Sequence, residues 1–303
     1  YGTSTAGSAT ITNSTNSTNP PAFLYFQGSS TAGNATIANN TVGTIEFRDT
    51  STAGSAEINN VNKLYFKDDS TAENARINNY SALYFNNRSS AGNATIQNNE
   101  SIEFFDNSTA GYATIYNGQE LYFSGNSSAG SATIRNGDIL AFRQNATGGN
   151  AQLINSRFDA VTDFSASTGP NGDNKLSAGS IAGPGSFILG ANELTVGGNN
   201  RATEVSGVIS GVGGSLVKVG GARLTLSGDN TYTGGTTIND GMLQIGNGGT
   251  SGSVLGNIVN NSSLTFNRSD AYTFAGNISG SGALYQAGTG ATILTGTNTY
   301  SGD

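Results

Sequence analysis

A phrase of 19 residues runs six times without insertion from Ile45 to Phe158, and it restricts the chain to very few folds. IEFRDTSTAGSAEINNVNK is followed by LYFKDDSTAENARINNYSA, LYFNNRSSAGNATIQNNES, IEFFDNSTAGYATIYNGQE, LYFSGNSSAGSATIRNGDI and LAFRQNATGGNAQLINSRF. A looser unit starts at Leu24, and half a unit surrounds Ile11. Self-similarity at a fixed period of this size is the sequence mark of a solenoid.

Each unit holds two short alternating runs. Leu64 and Phe66 flank Tyr65; Ala75 and Ile77 flank Arg76. Period-2 alternation predicts strands whose flanking residues face inward and whose middle residue faces outward. The runs are separated by Ser, Thr, Gly, Asn and Asp, which are turn formers. No window carries apolar residues at helical spacing over three turns. One unit is therefore read as one rung of a parallel β-helix, with two or three strands per rung.

Stacking the rungs aligns like with like. Phe26, Phe47, Phe66, Phe85, Phe104, Phe123 and Phe142 form one inward column. Ile37, Ile58, Ile77, Ile96, Ile115, Ile134 and Leu153 form a second, and the series from Leu24 through Ile45 and Leu64 to Leu140 a third. A column of alanines, Ala35 to Ala151, lets the coil close tightly. Asn39, Asn60, Asn79, Asn98, Asn117 and Asn136 recur two residues after each Ile. They are read as an asparagine ladder at a turn, in left-handed backbone conformation. Glycosylation sequons also occur (at Asn34, Asn93, Asn126 and Asn145), but a chain so rich in Asn, Ser and Thr forms them by chance.

Composition excludes whole classes of function. With no His and no Cys, a Ser-His-Asp triad, a cysteine nucleophile, a His-ligated metal and a disulfide scaffold are all out of reach. A formal net charge of −7 with no basic patch argues against nucleic acid as a partner. No stretch approaches 18 apolar residues, so no helix is expected to cross a bilayer. The chain opens inside one repeat and stops inside another, and is read as a fragment of a longer secreted protein. A Cys-free chain also suits passage across an oxidising periplasm unfolded.

The 19-residue phrase ends near Asp159, giving an expected division into residues 1–158 and 159–303 of one continuous solenoid. Residues 159–174 are read as irregular, with a turn at Gly169-Pro170-Asn171-Gly172, and the rung boundaries of 159–204 have no clean repeat to guide them. A different repeat follows. SGVISGVGGSLVKVGGARLTLSGDNTYTGGTTINDGMLQIG covers Ser206–Gly246, and AGNISGSGALYQAGTGATILTGTNTYSGD covers Ala275–Asp303. Tyr232 and Tyr300 are read as occupying the same place, about three rungs apart. Asp303 departs from the pattern, which would have Gly there. From about Ser177 the chain resembles the passenger domains of classical (type V) autotransporters: GGARLTLSGDNTYTGGTTINDGMLQIG is similar to their passenger-associated transport repeat. The upstream STAGNATI-type repeats are similar to those of large surface autotransporters. The resemblance implies a right-handed parallel β-helix, export through a C-terminal outer-membrane β-barrel absent from this sequence, and residence on the bacterial cell surface or outer membrane, with release as a secreted form also open.

Carboxylate pairs remain as catalytic candidates, because β-helical glycosidases and lyases use such groups. They are Asp68 with Asp69, Asp159 with Asp163, and Glu46 with Glu103; a solvated pair is the ordinary case, and no enzyme, cofactor or metal is expected. The outward positions between each Leu and Phe carry more information. Tyr25, Glu46, Tyr65, Tyr84, Glu103, Tyr122 and Ala141 form a stripe expected to be exposed. Thr36, Glu57, Arg76, Thr95, Thr114, Thr133 and Gln152 run beside it on the other strand. Tyrosine offers large contact area with a polar tip, although strand propensity alone accounts for any single one. Tyr25, Tyr65, Tyr84, Tyr122, Glu46 and Glu103 are the candidate ligand-binding residues. The expected partners are a host cell-surface protein, extracellular matrix, a glycan, or another copy of the chain between bacteria. The leading expectation is a surface adhesin or virulence factor. A structural stalk with a folding core, a secreted effector engaging a host receptor, and a polysaccharide-degrading enzyme are the alternatives.

Overall fold

The computed structural model describes residues 2–14 and 21–302. Asp303, the position that departs from the repeat, lies outside them. The regular elements among the described residues are all β-strands, and they pair in parallel as a β-solenoid with roughly 19–20 residues per rung. The chain divides into two compact units between Thr147 and Gly148.

In the first unit each rung contributes two strands. One ends in asparagine, as in Thr36–Asn39, Glu57–Asn60 and Arg76–Asn79. The other ends in the Phe column, as in Gly43–Phe47, Lys63–Phe66 and Ala82–Phe85. Register is like on like: Ile58 pairs with Ile77, and Phe66 with Phe85. A third contact line is a column of single bridges from Thr31 through Thr52, Thr71, Ser90, Thr109 and Ser128 to Thr147. Phe47, Phe66, Phe85, Phe104, Phe123 and Phe142 are fully buried and stack face to face. Ring centroids lie 4.5 Å apart at Phe85–Phe104 and 5.1 Å apart at Phe123–Phe142. That is the spacing of neighbouring strands, so the backbone ladder itself sets the ring stack. Each rung also buries an Ile, a Leu or Ile, and two alanines, each large side chain worth about 1.5–3 kcal/mol. The second alanine comes from a column the periodicity reading passed over: Ala32, Ala53, Ala72, Ala91, Ala110 and Ala129.

The two alanines bracket the tight corner. Ala56 N–H donates to the Ala53 carbonyl at 3.1 Å, with Gly54 between them at φ 59°. A β-carbon on Gly54 would sit 2.7 Å from the Gly33 carbonyl oxygen, so space and backbone angle both favour glycine there. Glu73 takes the equivalent place in the next rung, at φ 47°, so the corner accepts a side chain at a cost in strain.

The asparagine ladder is present, but its backbone is not as expected. The ladder residues are the last of their strands and none has a positive φ. Their side chains point into the core, so the side chain and not the turn conformation selects asparagine. Asn60 Nδ2 donates to Asn79 Oδ1 at 2.7 Å, and Asn79 Nδ2 donates to Asn98 Oδ1 at 2.8 Å. The same nitrogen of Asn79 reaches the Ser81 carbonyl and the Ser101 carbonyl, both at 2.9 Å. One amide thus ties its own turn to the next. The left-handed positions lie elsewhere, on an exposed column of Asp49, Asp68, Asn87, Asp106 and Gln144 with φ between 56° and 59°. There each side-chain oxygen accepts the backbone N–H of the rung before, as Asp68 Oδ2 does from Asp49 at 3.0 Å.

The second unit keeps the architecture and loses the fixed period. Leu176 pairs with Leu194 and Leu194 with Leu216, offsets of 18 and 22 residues. Unequal corners hide such a repeat from a fixed-period search. The segment expected to be irregular contains the strand Val161–Ser167, whose Thr162 and Phe164 are buried. The turn after it is closed by Gly172 N–H on the Gly169 carbonyl at 3.0 Å. Tyr232 and Tyr300 share a place in the repeat, since Asn230 Oδ1 accepts from Ile209 N–H and Asn298 Oδ1 from Ile278 N–H, both at 2.9 Å, but the two copies lie on different faces. Thr231 N–H bonds to Ile209 and Thr299 N–H to Ile278, residues of different sheets. Tyr232 is fully buried, its hydroxyl 2.6 Å from Thr236 Oγ1.

Asn79→Ala removes a buried amide and strands its neighbours' donors and acceptors. It is expected to cost about 2–3 kcal/mol, read as a lower urea midpoint, whereas Asn93→Ala on the exposed corner should stay within about 0.5 kcal/mol of the parent. Equal effects would remove the ladder from the account of stability.

Candidate functional site

The outward column lies on the sheet that carries the Phe stack, and its exposure is uneven. Tyr25 is 45% exposed, but Glu46 is 7% and Ala141 8% exposed, against the expectation of an open stripe. Tyr65, Tyr84, Glu103 and Tyr122 are half-buried. Cations from the same rung or the next cover part of the column. Arg48 lies over the Tyr25 ring at 4.8 Å, Lys67 over Tyr65 at 4.7 Å, and Arg143 over Tyr122 at 3.9 Å. Arg48 Nε donates to Glu46 Oε2 at 2.5 Å, and Lys67 Nζ to Glu46 Oε1 at 3.2 Å. Tyr65 also stacks on Tyr84 at 4.8 Å, the rung spacing again. The charges Arg48, Lys67 and Arg143 were not among the residues singled out from sequence. Their signal was there: a cation two residues after the outward residue points along the same face.

Environment shifts several of these groups. Burial raises the Tyr65 hydroxyl, with Tyr84 and Glu46 adding to it. Burial raises Tyr122 too, helped by Glu120. Burial is likewise the main cause that raises Glu103; Arg143 opposes it and Glu120 adds to it.

Of the candidate carboxylates, Asp68, Asp69, Asp159, Asp163 and Glu46 are engaged in structure. Asp69 accepts two bonds from Arg88, at 2.7 and 2.6 Å, which hold it below the usual carboxylate range. Asp68 sits in the left-handed corner column. Asp159 is forked by Arg157 at 3.0 Å for both bonds and is lowered in the same way, while Asp163 Oδ1 caps the Ser165 N–H at 2.8 Å. Glu46 is held by its two cations, and Glu103 lies three rungs away from it on the same column. Among the described residues no cluster of three or more acidic, Cys or His side chains has metal-binding geometry.

The second unit holds two buried cations that no motif flagged. Lys218 is 1% exposed, in a column shared with Val196 and Ile238. Its ammonium donates to the carbonyls of Val219 at 2.8 Å, Gly220 at 2.6 Å and Asp240 at 3.1 Å. Burial lowers its pKa and Asp240 opposes the shift. Arg268 ties the carbonyls of Gly252 and Thr250 to the Asp270 carboxylate. Both clamp loop carbonyls that the strands leave unpaired, a structural use of charge.

The fold is a parallel β-solenoid that repeats its outward side chains at one register position. The passenger-associated-transport-repeat family model matches residues 216–245 and 284–303. The Adhesin BmaC autotransporter of Brucella suis biovar 1 is 60% identical over 53 residues, which is 18% of this chain and 2% of that protein. The matched stretch is thus a small part of that adhesin. No solved structure matches. These findings support an autotransporter passenger domain with passenger-associated transport repeats, a class associated with the cell surface or outer membrane.

A carboxyl whose pKa is raised by folding binds its proton more tightly in the fold than in the unfolded chain. Stability is therefore lost as pH rises from the ordinary glutamate pKa through the raised one. Glu103→Gln is expected to be more stable than the parent at pH 7, and the difference should close on acidification below about pH 4. Thermal unfolding of both at the two pH values checks this; a less stable variant at pH 7 would mean that the attraction to Arg143 outweighs burial.

Proposed function

We propose that this chain is a non-enzymatic adhesin segment: a passenger that attaches to host cells, matrix or glycans through the outward column of its Phe-stack sheet. The observation that carries the reading is the repetition of half-exposed tyrosines at one register position on a rigid ladder. Each such residue is a weak contact, and a fixed rung spacing presents several of them at once, so that avidity replaces affinity. The short match to an autotransporter adhesin supports the same reading. Engagement of the candidate carboxylates by arginines, backbone and cations supports the absence of hydrolytic chemistry.

A second reading has a specific observation in its favour. Arg48, Lys67 and Arg143 cover the faces of Tyr25, Tyr65 and Tyr122. A covered ring stiffens the face as readily as it binds a partner, and that suits a stalk whose binding head lies elsewhere.

Replacing Tyr25, Tyr65, Tyr84 and Tyr122 together by Ser separates the two. An adhesive face predicts saturable binding of the parent to cultured cells or immobilised matrix, lost by at least about tenfold in the variant, as expected when several linked contacts go together. Equal binding by a variant with unchanged circular dichroism, or none by the parent, supports the stalk.

A further inference from the structure

The outward face of the first unit contains a groove one rung wide. Its floor is the strand Gly43–Phe47, whose outward Thr44 and Glu46 are 8% and 7% exposed. On one side stand Pro21 and Phe23, the latter 50% exposed, with the Tyr25 ring parallel to it 5.6 Å further along the strand and covered by Arg48. On the other stand Lys63 and Tyr65 of the next rung. The two walls are two rung spacings apart, about 9–10 Å. The groove is open to solvent along its length and encloses about 480 Å³, within the range of small-molecule sites.

Its charge is opposite to that of the chain. The chain as a whole carries −7. Around this groove, Arg48, Lys63 and Lys67 meet one carboxylate, Glu46, which already accepts bonds from Arg48 and Lys67. The lining itself, Lys63 and Lys67 against Glu46, is left with one positive charge. Asp69 on the adjoining corner is paired with Arg88, and Asp49 and Asp68 lie outside the lining, on the backbone N–H groups of the corner column. Asn62 and Asn86 add amide groups to the rim.

We propose that this groove binds an acidic sugar, a pyranose bearing a carboxylate or a sulfate within a longer glycan. Phe23 takes the apolar face of the ring, rim amides take its hydroxyls, and Lys63 and Lys67 take its acid. Glu46 is then an internal competitor that holds Arg48 and Lys67 in place until the sugar's acid shares them. The inference rests on the adhesive reading above and names the ligand class for one part of that face.

The test titrates this chain with hyaluronan oligosaccharide, which offers carboxylate alone, with heparin oligosaccharide, which adds sulfate, with neutral maltohexaose and with polyglutamate. Binding of hyaluronan or heparin but not maltohexaose is expected, and which of the two binds tells carboxylate from sulfate. Exposed Lys63→Glu should weaken it about tenfold, and high salt should do the same. Glu46→Gln should strengthen it several-fold, a gain that misfolding cannot imitate. Polyglutamate binding as tightly as the glycans would overturn the proposal in favour of an acidic peptide. So would indifference to Lys63→Glu in a variant with parental circular dichroism, or weakening by Glu46→Gln. Cell or matrix binding without acidic-glycan binding overturns the groove and leaves the adhesin; loss of both overturns both.

Discussion

A buried amide has to find partners, and in this solenoid they are the same residue one rung away and the carbonyls of its own turn and the next. That requirement is what the first unit is built around. The Asn60–Asn79–Asn98 chain of bonds runs through the core. A rung shifted by one residue would turn every amide outward and bring Ile and Phe out with it. Leaving even one link open strands a donor on one side and an acceptor on the other, each with its own desolvation cost. The ladder therefore fixes register more sharply than the hydrophobic columns, which tolerate exchange between Leu and Ile. With register fixed, the Phe rings have no freedom to choose an offset arrangement, and they stack in parallel at the strand spacing.

The fixed register also explains which parts of the structure were legible beforehand. Where corners have equal length, inward columns appear in sequence at a constant interval, and Phe47, Ile58 and Asn60 could be placed from spacing alone. In the second unit the interval varies between Leu176–Leu194 and Leu194–Leu216, and the same architecture leaves no fixed period. The strand Val161–Ser167 was hidden for that reason. A local phrase keeps its own bonds but not its face: the NTY of Tyr232 and the NTY of Tyr300 bond alike to an Ile of the rung before, yet those two residues belong to different sheets. The candidate face was half legible. Period 2 names the outward residue, but not what the next outward residue does to it. Arg48 and Lys67 fold back over Tyr25 and Tyr65, and Glu46 goes under them. Lys218 was invisible because a lysine in a column of Val and Ile satisfies no apolar pattern; carbonyls from loops make the position polar.

Charge is used in this chain in two different ways. Lys218 and Arg268 are buried and spend their donors on loop carbonyls. They hold corners of unequal length where no asparagine ladder can run. Arg48, Lys67 and Arg143 spread over aromatic rings at the surface, where the attraction is modest, and Arg48 and Lys67 are also paired with Glu46. The first kind stabilises the fold by satisfying backbone. The second leaves its charge available to a partner at little structural cost.

Function in such a fold can vary only where the ladder leaves room. Inward columns are held by packing, the Asn column by its bonds, and the Gly54 corner by the carbonyl of the rung before. The outward column is free of all three, and its residues do change, from Tyr to Glu to Ala, while every neighbouring column stays nearly constant. A change there alters the surface without disturbing the core, and the rung spacing converts each change into a step at a known height along the sheet. The groove at Thr44 and Glu46 arises in this way: one rung with withdrawn side chains between two rungs with projecting ones. A binding surface can thus be written into a solenoid one outward residue at a time, with the stability of the ladder left intact.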